Sequence, residues 1–119
     1  MTIETINKLF LNSINFKRAG NNEYVMYMPF YYPNTVENMP LYIKIVDEEV
    51  TLTDLGSFID KLEDENKDIE KGKAKLNAVL KRYNMTLSNG VLSMKCPIQH
   101  AHIYISYYFQ ALTLIYNLL

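Results

Sequence analysis

Charged residues are absent from the last 24 positions of the chain, residues 96–119, although Asp, Glu, Lys and Arg make up 21% of the whole sequence. A surface helix normally presents a charged face to water. A helix of this composition is therefore either buried in its own fold or packed against another molecule. The absence predicts a binding role and argues against catalysis.

Cysteine and glycine are also scarce. The single cysteine, Cys96, cannot form an internal disulfide, and the four glycines are isolated, which excludes a glycine-rich phosphate loop. The formal net charge of −1 gives no overall attraction to nucleic acid or to anionic lipid. Glu4 and Lys8 interrupt the first apolar stretch, so no signal peptide is predicted. We expect a cytoplasmic protein, located in the host cytoplasm if a phage encodes it.

The charge-free segment is long enough to cross a membrane, but seven polar residues lie within it. They are Gln99, His100, His102, Ser106, Gln110, Thr113 and Asn117. Each of these side chains would be unpaired in lipid, so no membrane association is expected.

The length of 119 residues predicts a single domain, residues 1–119. The pattern predicts an α+β fold, in which a small antiparallel sheet packs against about four helices. The sheet would combine a three-stranded meander with a hairpin at Asn89-Gly90. The predicted elements are a helix at 2–16, a turn at 19–22, strands at 23–32, 41–46 and 50–53, a short helix near 58–62, a helix at 68–83 capped by Asp68, a hairpin at 85–94 and a final helix opened by Pro97. Pro29 is expected to end the first strand or to cause a bulge.

The strand at 50–53 runs into the motif Leu52-Thr53-Asp54-Leu55-Gly56. Asp54 and Ser57 can cap exposed backbone N–H groups, and Gly56 can adopt a φ that other residues avoid. Thr53, Asp54 and Gly56 are therefore interpreted as a structural motif. The motif, with the apolar strand before it and the helix and Asn-Gly hairpin after it, resembles a family of small uncharacterised bacterial and phage domains. A second Asp often stands in that family where this chain has Leu55. The resemblance implies an α+β domain common in phages and mobile elements, and no known activity.

Few residues suggest catalysis or metal binding. Asp54 alone could act as a base at the strand end, which keeps a small hydrolase as an alternative, but no second carboxylate or histidine lies at a short fixed spacing. Cys96 and His100 would share one helical face while His102 points elsewhere, and further ligands for zinc are missing. We expect no catalytic residue, no metal and no cofactor.

The charges are segregated along the chain. Ten of the thirteen acidic residues lie in residues 47–70, where the net charge is −8, and residues 71–82 carry a net charge of +5. One interpretation is a helix with acids at its N-terminal end and bases at its C-terminal end, matching the macrodipole. The other is an acidic surface that mimics a phosphate backbone and docks on a basic groove. The basic run lacks interleaved aromatic residues, so direct nucleic-acid binding is not expected.

These patterns predict a non-catalytic protein-binding module of phage or mobile-element origin. Its partner would be a host defence enzyme, such as a nuclease blocked by occlusion in the manner of anti-CRISPR or anti-restriction proteins. The predicted contact residues are Asp47, Glu48, Glu49, Glu63, Asp64 and Glu65, with Tyr104 and Tyr107 as anchors. The alternative is a homodimeric structural or regulatory module that packs through the C-terminal helix.

Overall fold

Apolar residues that alternate with polar ones build the strands, and the periodic apolar segments form the helices, as expected for an α+β fold. The computed structural model describes residues 15–31 and 38–119. The elements are β1 (Asn15–Gly20), β2 (Glu23–Tyr31), β3 (Asn38–Val46), β4 (Glu49–Thr53), α1 (Ser57–Asp64), α2 (Lys73–Tyr83), β5 (Met85–Ser88), β6 (Val91–Pro97), a 3-10 turn (Ile98–His100) and α3 (Ala101–Leu118). The α+β class is therefore confirmed, with six strands and three α-helices in the described residues.

All six strands belong to one antiparallel sheet with the order β1-β2-β3-β4-β6-β5. The meander and the hairpin are joined because β4 pairs with β6, from Glu49 opposite Pro97 to Thr53 opposite Ser93. This pairing places the turn after β4 beside the hairpin between β5 and β6. It also places the tip of the β3–β4 hairpin beside the start of the 3-10 turn.

One face of the sheet carries the core. Val50 and Leu52 on β4 are buried, and Thr51 between them is partly exposed, as the two-residue period of a strand requires. Leu41 and Ile43 on β3 lie on the same inner face, as predicted. The charge-free helix α3 covers this face and buries Ala101, Ile105, Tyr108, Phe109, Ala111, Leu112 and Ile115.

Two local predictions about turns and strands are confirmed. Asn89 and Gly90 have φ values of 52° and 78°, and Ser88 pairs with Val91, so the two residues form the expected tight hairpin turn. The register of β2 against β3 shifts between Tyr27 and Tyr31, in the interval that contains Pro29. Proline cannot donate a backbone hydrogen bond, which explains the irregularity there.

The predicted N-terminal helix is wrong at its end. Asn15 and Phe16 belong to β1, which pairs with β2 through a tight turn at Asn21-Asn22. Antiparallel pairing with the neighbouring strand overrides the helical spacing of apolar residues that suggested a longer helix. The remainder of that predicted helix, residues 2–14, lies outside the described residues.

The predicted starts of two later helices are also corrected. Asp68 caps a separate turn, because its Oδ1 atom accepts the Lys71 N–H at 3.0 Å, and α2 begins only at Lys73 after Gly72. Pro97 ends β6 and precedes the 3-10 turn, so α3 begins at Ala101. In both places a local turn takes the residues that the apolar period assigns to the helix.

Candidate functional site

The turn between β4 and α1 is built by the strand-end motif. Leu55 and Gly56 have φ values of 57° and 93°, and the Ser57 N–H donates to the Asp54 carbonyl at 3.3 Å. Two successive left-handed residues closed by this hydrogen bond have the geometry of a type I′ turn. A Cβ atom on Gly56 would lie 3.3 Å from the carbonyl oxygen of Gly90, so the motif packs closely against the β5–β6 hairpin.

Side chains of the motif fix this turn to the neighbouring strand. The Thr53 hydroxyl donates to the Leu92 carbonyl at 2.6 Å and accepts the Leu55 N–H at 3.1 Å. Asp54 Oδ1 accepts the Gly56 N–H at 2.9 Å. The structure therefore gives Thr53, Asp54 and Gly56 definite structural contacts. The helix N-cap residue is Gly56, which provides no side-chain cap.

Asp54 is buried, with 1% of its surface exposed. Burial raises the pKa of its carboxyl group, and hydrogen bonding from the Gly56 and Phe58 amides opposes the rise. The Tyr108 hydroxyl accepts the Asp54 N–H at 3.1 Å and donates to the Leu92 carbonyl at 3.2 Å. Asp54 Oδ2 is buried without a hydrogen-bond partner of good geometry. The carboxylate thus serves the turn and lies out of contact with solvent.

The residues considered for zinc lie in three elements, Cys96 at the end of β6, His100 in the 3-10 turn and His102 in α3, so Cys96 and His100 do not share a helical face as predicted. Cys96 is buried, and burial first and the Glu49 charge second raise the pKa of its thiol to about 11. His100 is exposed, and His102 is half-buried with an Nδ1 atom that makes no hydrogen bond. Within residues 15–31 and 38–119, no three His, Cys, Asp or Glu side chains are grouped to hold a metal ion.

The tip of the β3–β4 hairpin presents three adjacent carboxylates, and we call Asp47, Glu48 and Glu49 the acidic tip. All three residues are exposed, and the preceding Val46 is 55% exposed. The pair Val46–Glu49 closes the hairpin, and the Ile98 N–H donates to the Glu48 carbonyl at 2.9 Å. Glu49 lies 3.9 Å from Lys95 in an exposed ion pair. The backbone of the acidic tip is therefore held from both sides while its charges face solvent.

The other predicted acids lie at the end of α1. Glu63 and Asp64 are exposed, whereas Glu65 is half-buried and its Oε1 atom accepts a hydrogen bond from the Tyr116 hydroxyl at 3.1 Å. The Lys67 ammonium lies 4.6 Å from the centroid of the Tyr116 ring. Glu65 is therefore engaged inside the molecule, and Glu63 and Asp64 remain as surface acids.

The two acidic groups are far apart. Ile98, just before α3, contacts the acidic tip, and Tyr116, near the end of α3, contacts Glu65. A rise of about 1.5 Å per residue places Tyr116 about 22 Å from Ala101 along the helix axis. The six predicted acidic contact residues therefore form two separate patches. The interpretation of one helix with opposite charges at its ends is wrong, because the first turn of α2 has no acidic residue.

Tyr104 and Tyr107 lie at a different place, where α3 packs against α2. The ring centroids of Tyr104 and Tyr107 are 5.8 Å apart, and those of Tyr83 and Tyr107 are 6.1 Å apart. We call Tyr83, Tyr104 and Tyr107 the tyrosine seam. Arg82 lies over the Tyr83 ring, with 5.6 Å between the guanidinium carbon and the ring centroid. The structure thus joins the predicted tyrosine anchors to the basic helix.

Helix α3 divides into a buried face and a solvent face. Its solvent side is formed mainly by uncharged polar residues, with Ile103, Tyr107 and Leu118 exposed by 39%, 42% and 39%. Spacings of four and eleven residues place these three on one stripe of the helix. None of the helices in the described part of the chain is long and apolar enough to span a membrane.

Comparisons with protein-family models, with curated proteins and with solved structures return no match.

Proposed function

We propose that this protein is a non-catalytic protein-binding module that docks its acidic tip into a basic groove of a partner protein. The observation that carries the proposal is the construction of the tip. Two of its exposed carboxylates stand on the two-residue turn and the third, Glu49, begins β4. The strand pair Val46–Glu49 and the Ile98–Glu48 hydrogen bond tie the turn to the rest of the fold. A preorganised surface of this kind binds with little loss of conformational entropy.

The electrostatics of the tip favour a basic partner. Only one of its carboxylates has an ion pair among the described residues, the exposed contact between Glu49 and Lys95. Clustered charge of one sign attracts a surface of opposite sign and raises the association rate. Val46 beside the tip adds an apolar contact that can slow dissociation. The burial of Asp54 supports a binding function over the alternative of a hydrolase centred on that residue.

The class of partner follows from the chemistry of the tip and from the sequence resemblance. A row of carboxylates can occupy the groove in which an enzyme holds a nucleic-acid backbone. The resemblance to phage and mobile-element domains makes a host defence nuclease the preferred candidate. Binding at such a groove would block substrate access without any chemical step.

The test compares two charge variants of the pure protein against a panel of purified defence nucleases. Asp47→Asn/Glu48→Gln/Glu49→Gln removes the charges of the tip, and Glu63→Gln/Asp64→Asn is the control at the distant acidic patch. We expect the wild type to bind and inhibit a panel member, and the tip variant to associate about tenfold more slowly at low salt. The control should associate as fast as the wild type.

Two results would contradict the proposal. Binding that is equally fast for the tip variant and the control would show that the tip is not the docking surface. The absence of both binding and inhibition across the panel would remove defence nucleases as the partner class.

A further inference from the structure

The second part of the chain is as strongly basic as the first part is acidic. Residues 71–119 contain six Lys and Arg residues and no Asp or Glu, whereas all thirteen acidic residues lie in residues 1–70. Four of the six basic residues are exposed on α2, namely Lys73, Lys75, Lys81 and Arg82. The structure pairs none of these four with a carboxylate among the described residues. Their charges are therefore available to an anionic ligand.

The neighbouring helix supplies no charge to neutralise them. Helix α3 contains no Asp, Glu, Lys or Arg, and its contact with α2 includes the tyrosine seam. Tyr107 is 42% exposed and its ring packs between those of Tyr83 and Tyr104. Arg82 extends the same contacts by lying over the Tyr83 ring. The Arg82 guanidinium thus adjoins a partly exposed aromatic platform.

Proteins that bind single-stranded nucleic acid combine positive charges with exposed aromatic rings. Unpaired bases stack on aromatic rings and on guanidinium groups, and Lys and Arg neutralise the phosphates. A duplex hides the faces of its bases, so it could use only the positive charges. An acidic protein segment could also bind the positive charges, but it has no nucleobase to stack on the Tyr107 ring.

We infer that the α2–α3 face, composed of Arg82, Tyr83 and Tyr107, binds single-stranded DNA or RNA. The face is distinct from the acidic tip, because it is formed by the C-terminal end of α2 and the middle of α3. The sequence pattern alone argued against such binding because aromatic residues do not interleave with the basic run. The fold supplies the missing aromatics from another helix.

The experiment measures fluorescence anisotropy of labelled probes titrated with the full chain. The probes are oligo(dT) and oligo(U) of about 20 nucleotides, a duplex of equal length and poly-glutamate as a base-free polyanion. We expect both single strands to bind more tightly than the duplex and poly-glutamate, and their binding to weaken as salt is added.

Variants then separate stacking from charge. Tyr107→Ala should weaken single-strand binding about tenfold, and Tyr107→Phe should retain it, because base stacking needs the ring alone. Arg82→Gln should reduce the slope of log affinity against log salt by about 0.7, the contribution of one lost phosphate contact in a single strand. Lys44→Gln is the control, because Lys44 is exposed on a strand residue between the inward-facing Ile43 and Ile45.

Three outcomes would overturn the inference: no binding of either single strand at low salt, poly-glutamate bound as tightly as the oligonucleotides, or a Tyr107→Ala variant that binds like the wild type. Arg82→Gln and Lys44→Gln change only exposed side chains. The salt dependence of their binding therefore still tests the inference if Tyr107→Ala does not fold. The triple variant of the acidic tip should retain oligonucleotide binding. A failure of one proposal is therefore distinguishable from a failure of the other.

Discussion

At the scale of single residues, Asp54 combines a hydrogen bond that stabilises the turn with a buried charge that costs free energy. Oδ1 accepts the Gly56 N–H, whereas Oδ2 is buried without a hydrogen bond of good geometry. An unpaired buried oxygen loses hydration that the protein does not replace. The carboxylate therefore stabilises the turn at the cost of a buried, incompletely hydrogen-bonded charge.

The pH dependence of stability should report this conflict. Burial raises the pKa of Asp54 above its ordinary value of 3.8, so the folded state binds the proton more tightly than the unfolded state does. The contribution of Asp54 is fully present below about pH 3.8 and is lost as the pH rises through the raised folded pKa. In urea denaturation from acid to neutral pH, the wild type should therefore lose stability relative to Asp54→Asn.

Asp54→Asn and Asp54→Ala together separate the charge from the hydrogen bond. Asn keeps the oxygen that accepts the Gly56 N–H, whereas Ala removes it and should cost about 1 kcal/mol relative to Asn. A stability difference between wild type and Asp54→Asn that stays constant with pH would show that the folded state does not raise this pKa.

Leu55 shows what the sequence motif alone does not reveal. It adopts a φ of 57° with 60% of its surface exposed, and a left-handed conformation costs most residues about 1–2 kcal/mol. Asp tolerates this conformation better than Leu does. The left-handed turn at Gly56 could be expected from the sequence, but the strain at Leu55 could not.

At the scale of secondary-structure elements, Tyr108 connects helix α3 to two strand ends. Its buried hydroxyl accepts the Asp54 N–H and donates to the Leu92 carbonyl. Tyr108→Phe should destabilise the protein by about 1–3 kcal/mol, because it leaves both backbone groups buried without this partner. Urea denaturation measures the change, and Tyr107→Phe, at an exposed ring, is the matched control with an expected change near zero.

A loss of less than about 0.5 kcal/mol in Tyr108→Phe would mean that water or a shifted backbone satisfies both groups. No sequence pattern indicates this contact. Tyr108 lies in a helix whose apolar period predicts burial, but its partners are 16 and 54 residues away. The local period fixes which face of a helix is buried, whereas the contacts of its polar atoms depend on the tertiary arrangement.

The same distinction explains which elements could be predicted. The β3–β4 and β5–β6 hairpins follow from alternating apolar residues around tight turns, so their registers are local properties. The pairing of β4 with β6 is not local, because two helices separate these strands in the chain. The sequence therefore predicts one sheet that combines the meander and the hairpin, but it does not indicate which strands join them. The predicted start of α2 at Asp68 was wrong because the Asp68 side chain closes a separate turn with the Lys71 N–H.

At the scale of the whole molecule, the net charge of −1 conceals a division of charge. Residues 1–70 carry −7 and residues 71–119 carry +6. The absence of acids after Glu70 is visible in the sequence, and it could have drawn attention to α2 and α3 as one basic surface. What the sequence could not supply is the contact between Tyr83 and Tyr107, 24 positions apart, which places aromatic rings beside those charges.

The reactivity of Cys96 should report the opening of the entire core. The thiol is 3% exposed and its pKa is raised to about 11, so little thiolate is present at pH 8 and reagents cannot reach it in the folded state. Labelling by a disulfide reagent should be at least about a thousandfold slower in native buffer than in denaturant, in line with the equilibrium constants of small domains.

The labelling rate of Cys96 in Tyr108→Phe tests whether the sheet and helix α3 unfold cooperatively. If the β6 end that holds Cys96 opens only with the rest of the core, a loss of about 1–3 kcal/mol at Tyr108 should accelerate labelling about 5- to 150-fold. Tyr107→Phe should label at the wild-type rate. Rapid labelling of the wild type, or a rate unchanged by Tyr108→Phe, would mean instead that β6 separates from α3 locally. The sheet and the helix that covers it would then not unfold as one unit.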